Sequence, residues 1–290
     1  MDFFNDIFVH QDNNLLYHYT KKETAIDEIL FNGKLRFSPL KEVDDPREVE
    51  EWVWKIYNPR LGDGSGSKAL DAINRFLRNN CKVLCFSQDL IGIEEIEVSG
   101  PSNYWRKKAY EKGFARARMW SQYAEGHKGI CFAFSKEKTI DAIKECFKDC
   151  FIFHDSVSYM NGSERAIKAQ GIDSTQIKID GINNYFKSYL DEYHNTLFFE
   201  KLKDYRDERE YRFVIYNERP EEYEYIDIAD ILEGVIVGMY FDKKLYRCIN
   251  KFASAYNFKP RNMSWQQGTP VLQNDIIFKN YEEKGTSLNK

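Results

Sequence analysis

Glu208-Arg209-Glu210-Tyr211-Arg212 gathers two carboxylates and two guanidiniums just ahead of the apolar run Phe213-Val214-Ile215-Tyr216. Side chains alternate between the faces of an extended strand. Glu208, Glu210 and Arg212 therefore share one face, and Arg209, Tyr211 and Phe213 the other. Charges on a buried face are costly unless they pair with one another. Two readings follow. One is a solvated sheet face, or a Glu–Arg lattice between strands. The other is a carboxylate held by neighbouring arginines in a polar cleft, placed to act on a cationic substrate.

Other polar groups fall at the ends of apolar runs. His18, Tyr19 and Thr20 close the run that begins at Leu15. A strand end puts such side chains at the mouth of a fold, although a single His also serves there as a satisfied structural residue. Arg36-Phe37-Ser38 leads on to Asp44-Asp45-Pro46, where an Asx-Pro turn accounts for Asp45 without function. Trp120-Ser121-Gln122-Tyr123 precedes His127-Lys128-Gly129. That is either a core tryptophan with a surface turn, or an aromatic helix end and basic turn that cradle a phosphate or stack a base. There is no Gly-rich phosphate loop, serine-nucleophile elbow or metalloprotease helix. The six cysteines form no CxxC pair and have no clustered His beside them, which favours reduced, mostly buried thiols over a zinc site.

The elements that must position these residues follow from local pattern. Leu15–Thr20 reads as a short buried strand. Lys21–Phe31 reads as a helix with Ala25, Ile26, Ile29 and Leu30 on one face, a Thr20/Glu23 capping box and an Asn32-Gly33 stop. Leu35–Ser38, Lys82–Ser87, Ile130–Phe134, Phe151–Tyr159, Tyr223–Ile228, Leu232–Tyr240, Arg261–Trp265 and Ile276–Phe278 have strand character. Helices are expected over Arg47–Tyr57, Leu70–Leu77, within Asn103–Tyr123, and over Thr139–Phe147, Asn183–Lys201 and Lys243–Tyr256. This order predicts an α+β fold with a central mixed sheet flanked by helices, as a single domain over 1–290. Loops or insertions are expected at 58–68, 88–102 and 161–182.

The net charge of −4 offers no general basic surface for nucleic-acid phosphates. No apolar run approaches the roughly 20 residues of a membrane span, and Met1–Asp6 lacks the basic start and apolar core of a secretory signal. The expectation is a soluble, cytoplasmic protein without a membrane partner.

Taken in order, these segments resemble the bacterial domain of unknown function 2971 family. The resemblance begins with the Leu16-Tyr17-His18-Tyr19 strand and the helix after it, runs through Leu35–Ser38, Asp44-Asp45-Pro46, Cys85-Phe86-Ser87, Met119–Tyr123, His127–Gly129, Glu208–Arg212 and Val235–Gly238, and spans roughly Leu15 to Trp265. Asp44 stands where the family pattern has Asn, and Gln122 where it has His, so neither inherits a role. More distantly, Tyr17-His18-Tyr19-Thr20 with the following helix, Gly33, Leu35 and a late Glu is similar to the opening of ADP-ribosyltransferases, which include bacterial toxins that modify DNA. That similarity implies an ADP-ribosyltransferase-like fold. It also implies NAD as a consumed substrate, no metal, and transfer of ADP-ribose to a protein, nucleic-acid or small-molecule acceptor. The catalytic carboxylate would be Glu210, with Glu208 in reserve. His18 and Thr20 would orient NAD, Arg36 would meet its pyrophosphate, and Tyr19 or Tyr123 would stack on nicotinamide. Ser38, His127 and Arg212 complete the expected binding set. Two alternatives use the same residues: an NAD glycohydrolase with water as acceptor, and a non-catalytic nucleotide-sensing module, with phage defence as a setting.

Overall fold

Five of the six residues of strand β1 (Leu15–Thr20) are buried, and His18 is the one left partly open. A strand enclosed on both faces in this way must lie inside a sheet. The computed structural model describes residues 14–43, 45, 55–57, 65–90, 109–161 and 171–273.

After β1 the chain makes a π-wound turn, Thr24–Leu30, that buries Ala25, Ile29 and Leu30. The expected capping box does not form. Glu23 turns to Lys22 instead, at 2.9 Å. Strand β2 (Lys34–Pro39) then alternates, with Leu35, Phe37 and Pro39 facing inward.

The hub of the sheet is β4 (Cys81–Gln88). Along one edge it pairs with β10 (Glu210–Tyr216), in a register running from Glu210 opposite Ser87 to Tyr216 opposite Cys81. The other edge is shared. β1 takes its far end, with Leu16 opposite Gln88 and Tyr17 opposite Ser87. β2 takes its beginning, with Ser38 opposite Val83 and Pro39 opposite Lys82. Between them, Leu84, Cys85 and Phe86 face a gap where the sheet splits. From β1 the sheet continues through β5 (Ile130–Ser135), β12 (Leu232–Val237), β13 (Lys259–Gln266) and β14 (Thr269–Gln273). On the other side, β11 (Glu224–Asp227) borders β2, while β6 (Phe151–Ser156) borders β10. Pairing is antiparallel except between β12 and β13, so the sheet is mixed and the fold is α+β.

Aromatic side chains fill one core, where Phe86 meets Phe134 and Phe213 edge to face at 5.8 Å each. The helix Ile182–Phe198 packs Tyr185, Phe186, Tyr189, Leu190, Leu197 and Phe198 into a second core against Val83, Val214 and Tyr216. A third cluster of Tyr17, Tyr19, Phe114, Met119 and Trp120 seats the short helix Ala117–Gln122 beside β1.

Several expectations change. Lys55–Tyr57 (β3) is not a helix end but a strand, parallel to β8 (Gly171–Asp173); residues 47–54 lie outside the described residues. The segment 161–182 is only partly an insertion. Ile172 is buried, and Asp173 caps the helix Ser174–Asp180 by accepting from Thr175 N and Gln176 N, while 162–170 lie outside the description. Residues 58–64, 91–108 and Ile276–Phe278 are likewise undescribed, and Ser65–Arg75 is a helix. The helix expected to reach Lys201 stops at Phe198, and Glu200–Leu202 forms β9 beside β7 (Ser158–Met160). Among the described residues no helix is long and apolar enough to cross a membrane.

Candidate functional site

The gap between β1 and β2 opens into a cleft of about 320 Å3. A buried strand must satisfy its backbone polar groups even where a neighbouring strand is missing. Here the side chain of His18 does so, with Nδ1 3.1 Å from the Cys85 carbonyl oxygen. A carbonyl only accepts, so Nδ1 carries the proton and Nε2 is left as an acceptor. Burial lowers the pKa of His18, which keeps the ring neutral. Arg36 and Ser38 of β2 line the same cleft. Arg36 is steadied by the Tyr223 ring, 4.4 Å from its Cζ.

The floor is ionic and almost dry. Glu210 is 3 % exposed and Arg212 0 %. Arg212 Nε donates to Glu210 Oε1 at 2.6 Å, and Arg212 NH1 donates to the Phe198 carbonyl at 2.9 Å. Burial alone would raise the Glu210 pKa. The charges of Arg212 and Lys201 outweigh it, and hold this carboxyl well below the usual carboxylate range. Burial pushes the Cys85 thiol pKa up, and the negative charge of Glu210 adds to that.

Glu208 reaches the floor by a different route from strand alternation. It ends a 3-10 turn, Lys203–Glu208, and Arg209 then takes a left-handed backbone with φ 45° before β10 begins. The turn brings the Glu208 carboxylate beside that of Glu210. Tyr123 donates its hydroxyl to Glu208 Oε1 at 2.6 Å, and Lys201 Nζ lies 3.0 Å from Oε2. Lys201 also lies 2.7 Å from Glu210 Oε2. Sequence reasoning missed Lys201, a lone lysine at the end of an aromatic helical pattern. One signal was present: two buried carboxylates and a single buried arginine leave a negative charge that some cation has to balance.

A second, outer chamber of about 830 Å3 shares His18, Tyr19, Arg36, Ser38 and Tyr123 with the cleft and adds Thr20, Lys21 and Lys34. Thr20 thus lines the outer chamber only. Tyr19 lines both, but its hydroxyl is committed to the Gly113 carbonyl at 2.7 Å and its ring to Trp120. Asp45 is buried in the cleft wall, whereas Asp44 and Pro46 lie outside the described residues. Gln122 is exposed.

His127 lines neither chamber; its ring stacks on Trp120 at 6.4 Å and meets Tyr240 and Trp265 edge on, and its buried Nδ1 has no hydrogen-bond partner among the described residues. Trp120 is a core residue whose Nε1 donates to the Phe114 carbonyl. Backbone bonds pin the turn: His127 N donates to the Trp120 carbonyl, and Tyr240 N donates to the His127 carbonyl, at 3.0 Å each. Both motif glycines serve this packing rather than a phosphate. A Cβ on Gly238 would stand 2.1 Å from the His127 carbonyl oxygen, and one on Gly129 would stand 2.2 Å from that of Thr20. Since backbone cannot swing aside as a side chain can, Gly238→Ala should lower stability by about 1–3 kcal/mol. An unchanged midpoint in urea would refute this account of the turn.

Among the described residues no group of three or more His, Cys, Asp or Glu side chains is arranged to hold a metal ion. The arrangement suits binding of a polar, partly aromatic ligand, and electrostatic stabilisation of positive charge over two fixed carboxylates.

The family model described as protein of unknown function (DUF2971) matches residues 119–213. This match supports kinship with that family over a stretch that contains Tyr123, Lys201, Glu208, Glu210 and Arg212. No curated protein and no solved structure matches the chain.

Proposed function

We propose that the split-sheet cleft is the site of an NAD-dependent enzyme of ADP-ribosyltransferase-like fold and activity. What carries the reading is the convergence of His18, Arg36, Tyr123, Glu208 and Glu210, remote in sequence, on one cleft. The nicotinamide–ribose bond breaks with its electron pair leaving on nicotinamide, and C1 of the ribose becomes cationic. Carboxylates fixed beneath that carbon stabilise the charge more in the transition state than in the ground state. Glu210 is assigned that task. The His18 Nε2 acceptor takes a ribose hydroxyl, Arg36 meets the pyrophosphate, and the Tyr123 ring flanks the nicotinamide. The acceptor nucleophile then bonds C1 and loses its proton.

One observation favours a nucleotide-binding module without turnover: Glu210 already faces two cations, with Oε1 accepting from Arg212 Nε and Lys201 Nζ 2.7 Å from Oε2, although Oε2 accepts no hydrogen bond among the described residues. Incubation with NAD labelled in its adenylate portion separates the readings. Free nicotinamide with label on a macromolecule or small molecule indicates transfer, and nicotinamide with free ADP-ribose indicates hydrolysis. Bound, unchanged NAD indicates the module. No binding and no release would overturn the proposal.

A further inference from the structure

We infer that Lys201 is a positioning residue of this site, whose ammonium holds the Glu208 and Glu210 carboxylates side by side as a pair of anions beneath the cleft. The consequence for turnover rests on the reading above; the proton inventory does not. Lys201 Nζ lies 3.0 Å from Glu208 Oε2 and 2.7 Å from Glu210 Oε2, and the three side chains are 9 %, 5 % and 4 % exposed. Glu208, Glu210, Lys201 and Arg212 together bring two negative and two positive charges to the floor. Arg212 Nε is directed at the other oxygen of Glu210 and NH1 at the Phe198 carbonyl, whereas Lys201 lies between the two carboxylates.

Among the described residues, the remaining groups that face the pair bring no buried cation. Tyr123 donates to Glu208 as a neutral group, and Cys85 lines the same cleft with its thiol pKa raised by burial. The Tyr159 hydroxyl oxygen accepts from the Glu210 backbone amide. The Tyr205 ring lies 5.2 Å from Lys201 Nζ. Asp45 adds negative charge nearby, while Arg118 is exposed and bonds the Asp204 carbonyl. His18 is neutral, and Arg36 and Glu42 line the wall. Without Lys201, two adjacent buried carboxylates cannot both stay ionised and must share a proton. A protonated carboxyl stabilises a developing cation far less well.

The test compares the native chain with Lys201→Met and Lys201→Arg. Infrared difference spectra of the ligand-free proteins should show one protonated carboxyl forming in Lys201→Met as pH falls from about 8 to about 5, absent from the native chain. NAD turnover by Lys201→Met should fall at least about 30-fold at neutral pH, mainly in kcat, and recover as pH rises; Lys201→Arg should restore about a third of native kcat or more. A folded Lys201→Met that takes up no additional proton would overturn the inference, as would a flat kcat profile at native level. If the native protein releases no nicotinamide, the enzymatic reading fails while the infrared measurement still decides the role of Lys201. If Lys201→Met does not fold, adding Glu208→Gln removes the surplus charge and should restore folding. Failure to do so would also overturn the inference.

Discussion

Glu210→Gln is expected to slow nicotinamide release by about 30- to 1000-fold, a barrier increase of about 2–4 kcal/mol. Glutamine keeps the shape and one acceptor oxygen for Arg212 but removes the charge on which stabilisation of a cation depends. NAD affinity should change much less, because the ground-state ribose carries no such charge. Glu208→Gln should have the smaller effect if Glu208 serves through Lys201 and Tyr123. Unchanged turnover in a folded Glu210→Gln protein would remove Glu210 from the mechanism, and loss confined to Glu208→Gln would move the role to that residue. A melt must accompany both variants, since the amide leaves Lys201 short of one partner. Acid distinguishes the structural part of the effect. The folded pKa of Glu210 is depressed, so its contribution to stability is present above the unfolded carboxylate value, about 4. It is lost as pH falls through the folded value. The native and Glu210→Gln midpoints in urea should therefore converge as pH drops below about 4, and a constant gap would show that the Glu210 charge does not stabilise the fold.

Arg212→Met should cost about 3–5 kcal/mol of stability, the scale expected when one partner of a buried ion pair is removed. Arg212 is fully buried, and its loss strands both the Glu210 carboxylate and the Phe198 carbonyl. The check is denaturant unfolding of a double-mutant cycle. Adding Glu210→Gln to Arg212→Met leaves the Lys201–Glu208 pair balanced, so the double variant should lose less than the sum of the single losses, by about 0.5–3 kcal/mol. Additive losses would mean that the two residues contribute independently and that the ion pair does not organise the floor.

Part of this site was legible in the sequence because part of its determination is local. The runs that became β1, β4, β5 and β12 are recognisable from apolar composition alone, since burial of a strand depends on its own side chains. The polar residues at their ends, His18, Arg36, Ser38, Glu208 and Glu210, could be singled out as interruptions of those runs, and they do line the cleft. His127 could not be separated from them. Only the interlocking of its turn with Gly238 and Tyr240, more than a hundred residues on, turns its ring toward Trp120 and Trp265.

The cleft itself was decided by tertiary structure. It exists because β1 and β2 divide one edge of β4 and leave Leu84–Phe86 without a strand, a register choice that no single segment encodes. The meeting of Glu208 and Glu210 was anticipated from alternation, yet it depends on the left-handed backbone at Arg209. Lys201 shows the physical reason most clearly. Charge neutrality in a buried site is a condition on the whole cluster, so the cation that satisfies it can come from any strand the fold brings near. Neighbours in sequence determine which segments are buried; only the pairing of distant strands determines which buried charges meet.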